Sequence, residues 1–216
     1  MMSGKCTRDH IVEAADQLFY QQGFEHTSFS DIANAVQISR GNFYYHFKSK
    51  DEILEAVINL RLVNTQKMLE QWESEGEKPT DRIRCFIRIL ITNWSKIKYY
   101  GCPVGTLTTE LAKLNHASHE EAAKVFTLFR VWLSKQFKLL GRKKDADELA
   151  MHVLAFSQGT AAVANAFHDE KFMEQQVQQM CAWLDSVSEN ENLNECTNSR
   201  NHTNRKKTTK KTKNSN

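Results

Sequence analysis

The sequence predicts an all-α protein, a helix-turn-helix domain at its N-terminal end followed by a larger helical domain. Three observations carry this. Helix breakers are scarce, with 2 Pro and 8 Gly in 216 residues; no run of alternating β-branched residues marks a strand; and apolar residues recur at helical spacing behind Ser, Asp or Gly punctuation along most of the chain. With 40% hydrophobic residues the chain can bury a core in one or two domains.

The most informative stretch is Ser28 to Lys50. Ser28 with Asp31 three residues on makes a capping box for a short helix, in which Ile32, Ala33 and Val36 fall at helical intervals. Gln37 and Ile38 leave room for a tight turn. Ser39 then caps a second helix, Ser39 to Phe47, whose inward face is Phe43 and Phe47. The opposite face shows Arg40, Asn42, Tyr45 and His46, with Tyr44 at the border. Arg can grip guanine edges or phosphate, Asn can read adenine, and Tyr and His can donate to phosphate oxygens. Gly41 costs roughly 1 kcal/mol relative to Ala within a helix, yet in the first turn it lets a partner approach the backbone. Ser49-Lys-Asp-Glu52 reads as a further capping box, and the amides it exposes, with Lys48 and Lys50, suit a phosphate.

Beyond this segment, caps and glycines divide the chain. A helix from about Asp51 to Glu75 ends at Gly76 and links the two domains. A second starts near Thr80 after Pro79, carries Ile83, Phe86, Ile87, Leu90, Ile91 and Trp94, and runs to about Tyr100. Gly101-Cys-Pro-Val-Gly105 breaks it, and a short helix follows through Leu107 and Leu111. Ser118-His-Glu-Glu121 is expected to cap a helix that ends at Gly141. The final pair runs from about Asp145 to His168 and from Phe172 to Val187. The first of the pair is rich in small residues (Ala155, Gly159, Ala161, Ala162, Ala164, Ala166), which allow close helix approach and predict half of an intermolecular four-helix bundle; an intramolecular hairpin is the alternative.

The formal net charge of +3 divides unevenly. Arg200, Arg205, Lys206, Lys207, Lys210, Lys211 and Lys213 fall after Thr197 with no acidic residue among them, so the body of the chain is net acidic. Residues 189–216 are accordingly expected to form a disordered basic tail, either a salt-sensitive arm for DNA or a solvated end. No stretch approaches the ~20 apolar residues needed to span a bilayer, and Met-Met-Ser-Gly-Lys-Cys has no apolar signal core, so a cytoplasmic protein is expected. The five cysteines (Cys6, Cys85, Cys102, Cys181, Cys196) are odd in number and widely spaced, which argues against a disulfide framework and a Cys-x-x-Cys metal site.

Leu18, Phe19, Gly23 and Phe24 ending a leading helix, Ser30-Asp-Ile-Ala33, and Gly41-Asn-Phe-Tyr-Tyr-His-Phe-Lys-Ser-Lys50 resemble the DNA-binding domain of the tetracycline-repressor-like (TetR/AcrR) regulators, over about Thr7 to Asn59. The resemblance implies an all-α homodimer that binds a palindromic double-stranded DNA operator and releases it when a small molecule enters the C-terminal domain. It implies DNA contacts at Ser28, Ser39, Arg40, Asn42, Tyr44, Tyr45, His46 and Lys50. It also implies a reader at residues 1–50 and an effector-binding and dimerisation domain at residues 51–188. Gly101-Cys-Pro-Val-Gly-x-Leu-x-x-Glu-Leu111 is similar to a segment near the effector region in one branch of the family. The effector site is expected among Phe86, Trp94, Cys102, Phe126, Phe129 and Trp132, with Phe156 beside them. The absence of a concentrated charge cluster there points to a neutral or hydrophobic effector.

Catalysis is disfavoured. His116 and His119 lack a nearby Cys, Asp or second pair, no Gly-rich phosphate loop or nucleophile elbow occurs, and Glu110 and Glu121 read as helix-face charges. No cofactor or metal is expected. An alternative mode of response is a thiol or electrophile sensor at Cys102, which sits in the helix break between Gly101 and Pro103. A helical interaction protein without specific DNA binding is the remaining alternative; the polar and basic groove-facing residues weigh against it.

Overall fold

The computed structural model of the chain describes residues 7–189. The helices are α1 (Thr7–Gln22), α2 (Phe29–Ala35), α3 (Arg40–His46), α4 (Lys50–Glu75), α5 (Pro79–Thr92), α6 (Trp94–Tyr100), α7 (Pro103–Lys113), α8 (His119–Leu139) and α9 (Ala146–Phe167). Helical backbone over residues 170–189 follows, here α10. The basic segment expected at residues 189–216 lies outside the described residues beyond its first member.

Two hydrophobic cores organise these helices. The first gathers Ile11, Ala15 and Phe19 of α1, Ile32 of α2, Phe43 and Phe47 at α3, and Ile53, Leu54, Val57 and Ile58 of α4. Leu107 and Leu111 of α7 and Ala122 of α8 close the same core from below. This core therefore continues past residue 50 into α4 and is sealed by α7 and α8. The second core takes in Leu69 of α4, Ile83, Phe86, Ile87 and Leu90 of α5, and the inward faces of α8, α9 and α10. Along α10, Met173, Val177, Met180, Leu184 and Val187 form that inward stripe, and Asp169 Oδ1 accepts from the Phe172 amide at 2.9 Å to cap its start.

The small residues of α9 divide between two faces. Ala161 and Ala164 pack inward, while Ala155, Gly159, Ala162 and Ala166 are exposed beside Met151, Val163 and Phe167.

Three local expectations are corrected. The helix foreseen from Thr80 to Tyr100 is interrupted at Asn93, which ends α5 and precedes α6 with φ −100 and ψ 9. The Asn93 side chain donates to the Ile89 carbonyl at 3.0 Å, a local bond that competes with the regular helix ladder. Ser118 makes no side-chain cap; it is buried at 8% exposure, and its amide donates to His116 Nδ1 at 3.1 Å. At Ser49 only half of the box forms: Ser49 Oγ accepts from the Glu52 amide at 3.1 Å, but the Glu52 carboxylate turns one residue further and accepts from the Lys48 amide at 2.7 Å.

Candidate nucleic-acid interface and the adjoining cleft

The α2–α3 unit is built on the local rules foreseen in the sequence. Ser28 Oγ accepts from the Asp31 amide at 3.2 Å while Asp31 Oδ2 accepts from the Ser28 amide at 2.8 Å, so α2 starts on a complete capping box. Hydrogen bonds from the Ser28 hydroxyl and then its amide hold the Asp31 carboxyl below its usual range. Gln37 takes φ 56 in the turn, and Ser39 Oγ accepts from the Asn42 amide at 3.3 Å to start α3.

Phe43 and Phe47 are each 1% exposed, which fixes the rotation of α3 and turns its other face outward. Ser39, Arg40, Asn42, Tyr44 and Tyr45 are exposed there, Tyr45 at 79%, and His46 is half-buried with its ring edge-on to Tyr45 at 5.2 Å. Arg40 Nη2 donates to Ser30 Oγ at 3.3 Å. Tyr44 leans edge-on against Phe29 at 5.6 Å and remains 47% exposed. Gly41 has nothing within 4 Å of where a Cβ would stand, so the first turn of α3 faces open space.

Two of the expected contact residues are also committed elsewhere. The Ser28 hydroxyl donates to Asp31 Oδ2 at 2.7 Å. Lys50 Nζ donates to the Phe24 carbonyl at 3.0 Å and the Glu25 carbonyl at 3.3 Å, with the ammonium 4.3 Å from the centre of the Phe24 ring.

Beneath the reader lies a cleft of about 500 Å³ lined by Gly101, Cys102, Gly105, Thr106, Thr109, Glu110, Lys113, Gln158, Ala162 and Asn165. Gly101, at φ 73, ends α6, and Pro103 starts α7 immediately after Cys102. Gln158 Nε2 donates to Cys102 Sγ at 3.4 Å. Asn165 spends its amide on the Ile97 and Lys98 carbonyls at 2.9 and 3.0 Å.

None of the aromatic effector candidates lines this cleft with Cys102, although Cys102 packs against the same core as they do. Phe86 and Phe129 meet edge-on at 5.1 Å, and with Trp94 and Trp132 they are buried in the second core. Phe126 and Phe156 are half-buried against it. Trp132 borders a separate groove of about 280 Å³ between α4 and α8.

Several groups join the cleft to α1 and the α1–α2 corner through contacts that the sequence did not reveal. Glu110, expected as a helix-face charge, accepts from the Phe24 amide at Oε2 and the Glu25 amide at Oε1, both at 2.9 Å. The Tyr20 hydroxyl donates to the Gly101 carbonyl at 2.7 Å. Arg61 bonds Asp16 Oδ1 and the Pro103 carbonyl, each at 2.6 Å, joining α4 to α1 and α7. Their partners lie 42 to 86 residues away, and only Gly23, which the motif places before the corner, hints at an unusual backbone there. Among the described residues no group of three or more His, Cys, Asp or Glu could hold a metal ion, and no helix is long and apolar enough to cross a membrane.

Two family descriptions match this architecture: "Bacterial regulatory proteins, tetR family" over residues 11–57, and "Transcriptional regulator LmrA/YxaF-like, C-terminal domain" over residues 79–179. An uncharacterised HTH-type transcriptional regulator of Lactococcus lactis subsp. lactis is 33% identical over 56% of this chain and 63% of its own. The HTH-type transcriptional regulator TtgR of Pseudomonas putida is 33% identical over 42% of each chain. The chain thus spans less than two thirds of the length of these curated relatives. Among solved structures, a TetR transcriptional regulator from Legionella pneumophila superposes with a TM-score of 0.75 at 23% identity, covering 86% of this chain and 99% of that one. One from Chloroflexus aurantiacus gives 0.74 at 21% identity over 83% and 94%.

Proposed function

The chain belongs to the TetR family of bacterial regulatory proteins, and from that membership we propose that it is a homodimeric, ligand-responsive DNA-binding transcription regulator, a repressor that leaves a palindromic operator when a small molecule enters the cleft beneath its reader. The observation that carries the DNA half is the outward face of α3. Burial of Phe43 and Phe47 presents Arg40, Asn42, Tyr44 and Tyr45 together to solvent, with no acidic residue among them. Arg40 and Asn42 are the base-reading groups; Ser39, Tyr44, Tyr45 and His46 serve phosphates. Ser28 and Lys50 chiefly hold the frame, and the remaining N–H of Lys50 is left for a phosphate.

The dimer forms where α9 turns Met151, Ala155, Gly159, Ala162 and Val163 outward, so that the α9–α10 pairs of two copies make a four-helix bundle. The effector is a small neutral molecule. The cleft offers one acid, Glu110, against one base, Lys113, with the hydroxyls of Thr106 and Thr109 and the Gln158 amide for hydrogen bonds.

Selection of bound duplexes from a random-sequence DNA pool tests this reading. Enrichment of an inverted repeat is the expected result, and a folded protein that enriches nothing overturns it.

A second mode of response is favoured by the place of Cys102, a free cysteine whose Sγ accepts from Gln158 Nε2 at 3.4 Å in the wall of the cleft, where a reagent entering the cleft would meet it. In this mode an oxidant or alkylating agent acts as the effector at Cys102. If Cys102→Ser protein still leaves the selected duplex on treatment as the parent does, the thiol mode is excluded.

A further inference from the structure

The Gly23-Phe24-Glu25 corner between α1 and α2 is gripped on both edges of its backbone. On one edge the Glu110 carboxylate takes the amides of Phe24 and Glu25, each at 2.9 Å. On the other, Lys50 Nζ takes the carbonyls of the same two residues at 3.0 and 3.3 Å. Successive amides turned toward one anion form a nest, and charge-assisted bonds of this kind are roughly twice as strong as neutral ones.

The seat is shaped for the carboxylate. Gly23 holds φ +91, and a Cβ there would stand 2.9 Å from Glu110 Oε1, so only glycine allows both the turn and the approach. Three residues beyond the corner the Ser28 box starts α2, which carries α3 with it. The position of the corner over α7 therefore sets the position of the reading helix.

Glu110 also lines the cleft with Thr106, Thr109 and Lys113 of the same helix. We propose that Glu110 is the positioning residue that couples the cleft to the reader: its carboxylate holds the α1–α2 corner until a cleft ligand offers a competing N–H or O–H donor and draws it away. The ligand class that works this latch is a neutral molecule bearing such a donor beside an apolar body. A ligand without a donor for Glu110 has no differential contact with the two positions and shifts nothing through it. This inference rests on the cleft being the effector site, as proposed above.

The test uses full-length protein in which Cys6, Cys85, Cys181 and Cys196 are replaced by Ser, with and without Glu110→Gln. Iodoacetamide transfers a carboxamidomethyl group to Cys102 Sγ with loss of iodide, placing an amide donor in the cleft as a stand-in ligand. Amide hydrogen exchange at Phe24 and Glu25 and affinity for the selected duplex are then measured before and after alkylation.

The Gln side chain is isosteric but sets an NH2 against one of the two amides. In Glu110→Gln protein both amides are expected to exchange faster and affinity to fall about tenfold, within the usual range of coupling between sites. Alkylation is expected to do the same to the parent and to add little to the variant. Unchanged protection and affinity in Glu110→Gln protein overturns the latch. So does an equal further loss on alkylation in both proteins, because a merely structural contact would leave the two effects additive. A parent that does not respond to alkylation overturns the cleft as effector site, and with it the coupling, whereas the exchange data on the unmodified pair still decide whether Glu110 positions the reader.

Discussion

The Tyr20 hydroxyl donates to the Gly101 carbonyl at 2.7 Å, across 81 positions of sequence. This bond fastens the last turn of α1 to the break between α6 and α7. Gly101 sits there at φ 73 and ψ −165, and a Cβ on it would meet Thr106 Cγ2 at 2.9 Å. The break is thus a built corner, and Cys102 follows it at the edge of the cleft. Together with Glu110 on the α1–α2 corner, Tyr20 ties α1 and the start of the α2–α3 unit to two walls of that cleft.

Burial, and secondarily the neighbouring Cys102 thiol, push the Tyr20 phenol up from 10.0 to about 12. A raised folded value means that the native state keeps its proton where the unfolded chain has lost it. The contribution to stability is complete below about pH 10 and is lost as pH rises toward 12. Thermal midpoints should therefore fall more steeply over that window for the parent than for Tyr20→Phe protein. Parallel curves would show that Tyr20 is not the titrating group.

Gly23→Ala should destabilise the protein by about 1–3 kcal/mol, from the left-handed backbone together with the collision against Glu110. Urea unfolding measures this directly. A change below ~0.5 kcal/mol would mean that the corner relaxes freely.

Truncation after Asn194 removes Arg200, Arg205, Lys206, Lys207, Lys210, Lys211 and Lys213. If these groups meet DNA, the slope of log K against log salt becomes shallower by about 0.9 for each phosphate that they neutralise in the parent. An identical slope would assign the segment no part in binding.

The α2–turn–α3 unit was legible in the sequence because its determinants are local. Ser28 with Asp31, Ser39 with Asn42, and the Phe43–Phe47 spacing are short-range caps and periods that need no knowledge of the rest of the chain. The Asn93 break was hidden, because Leu90, Trp94 and Ile97 carry the apolar period straight through it. Ser118 had the letters of a capping box, but its burial and the His116 contact gave its backbone other partners. Glu110 looked like an ordinary helix-face charge, since both amides that it accepts come from a corner on the far side of the chain. Phe86 and Phe129 were legible as apolar helix positions, while their fit against each other is a property of the packed core.

Whether the outward face of α3 reads duplex DNA is decided by comparing the affinity of parent, Asn42→Ala and His46→Ala proteins for the selected duplex and for a scrambled duplex at one salt concentration. The parent should prefer the selected duplex; Asn42→Ala should lose about 1–3 kcal/mol of that preference with little change on the scrambled duplex, and His46→Ala should weaken both alike. Parental affinities in both folded variants, or a parent that binds the two duplexes equally, would contradict the assignment of α3 as the reading helix.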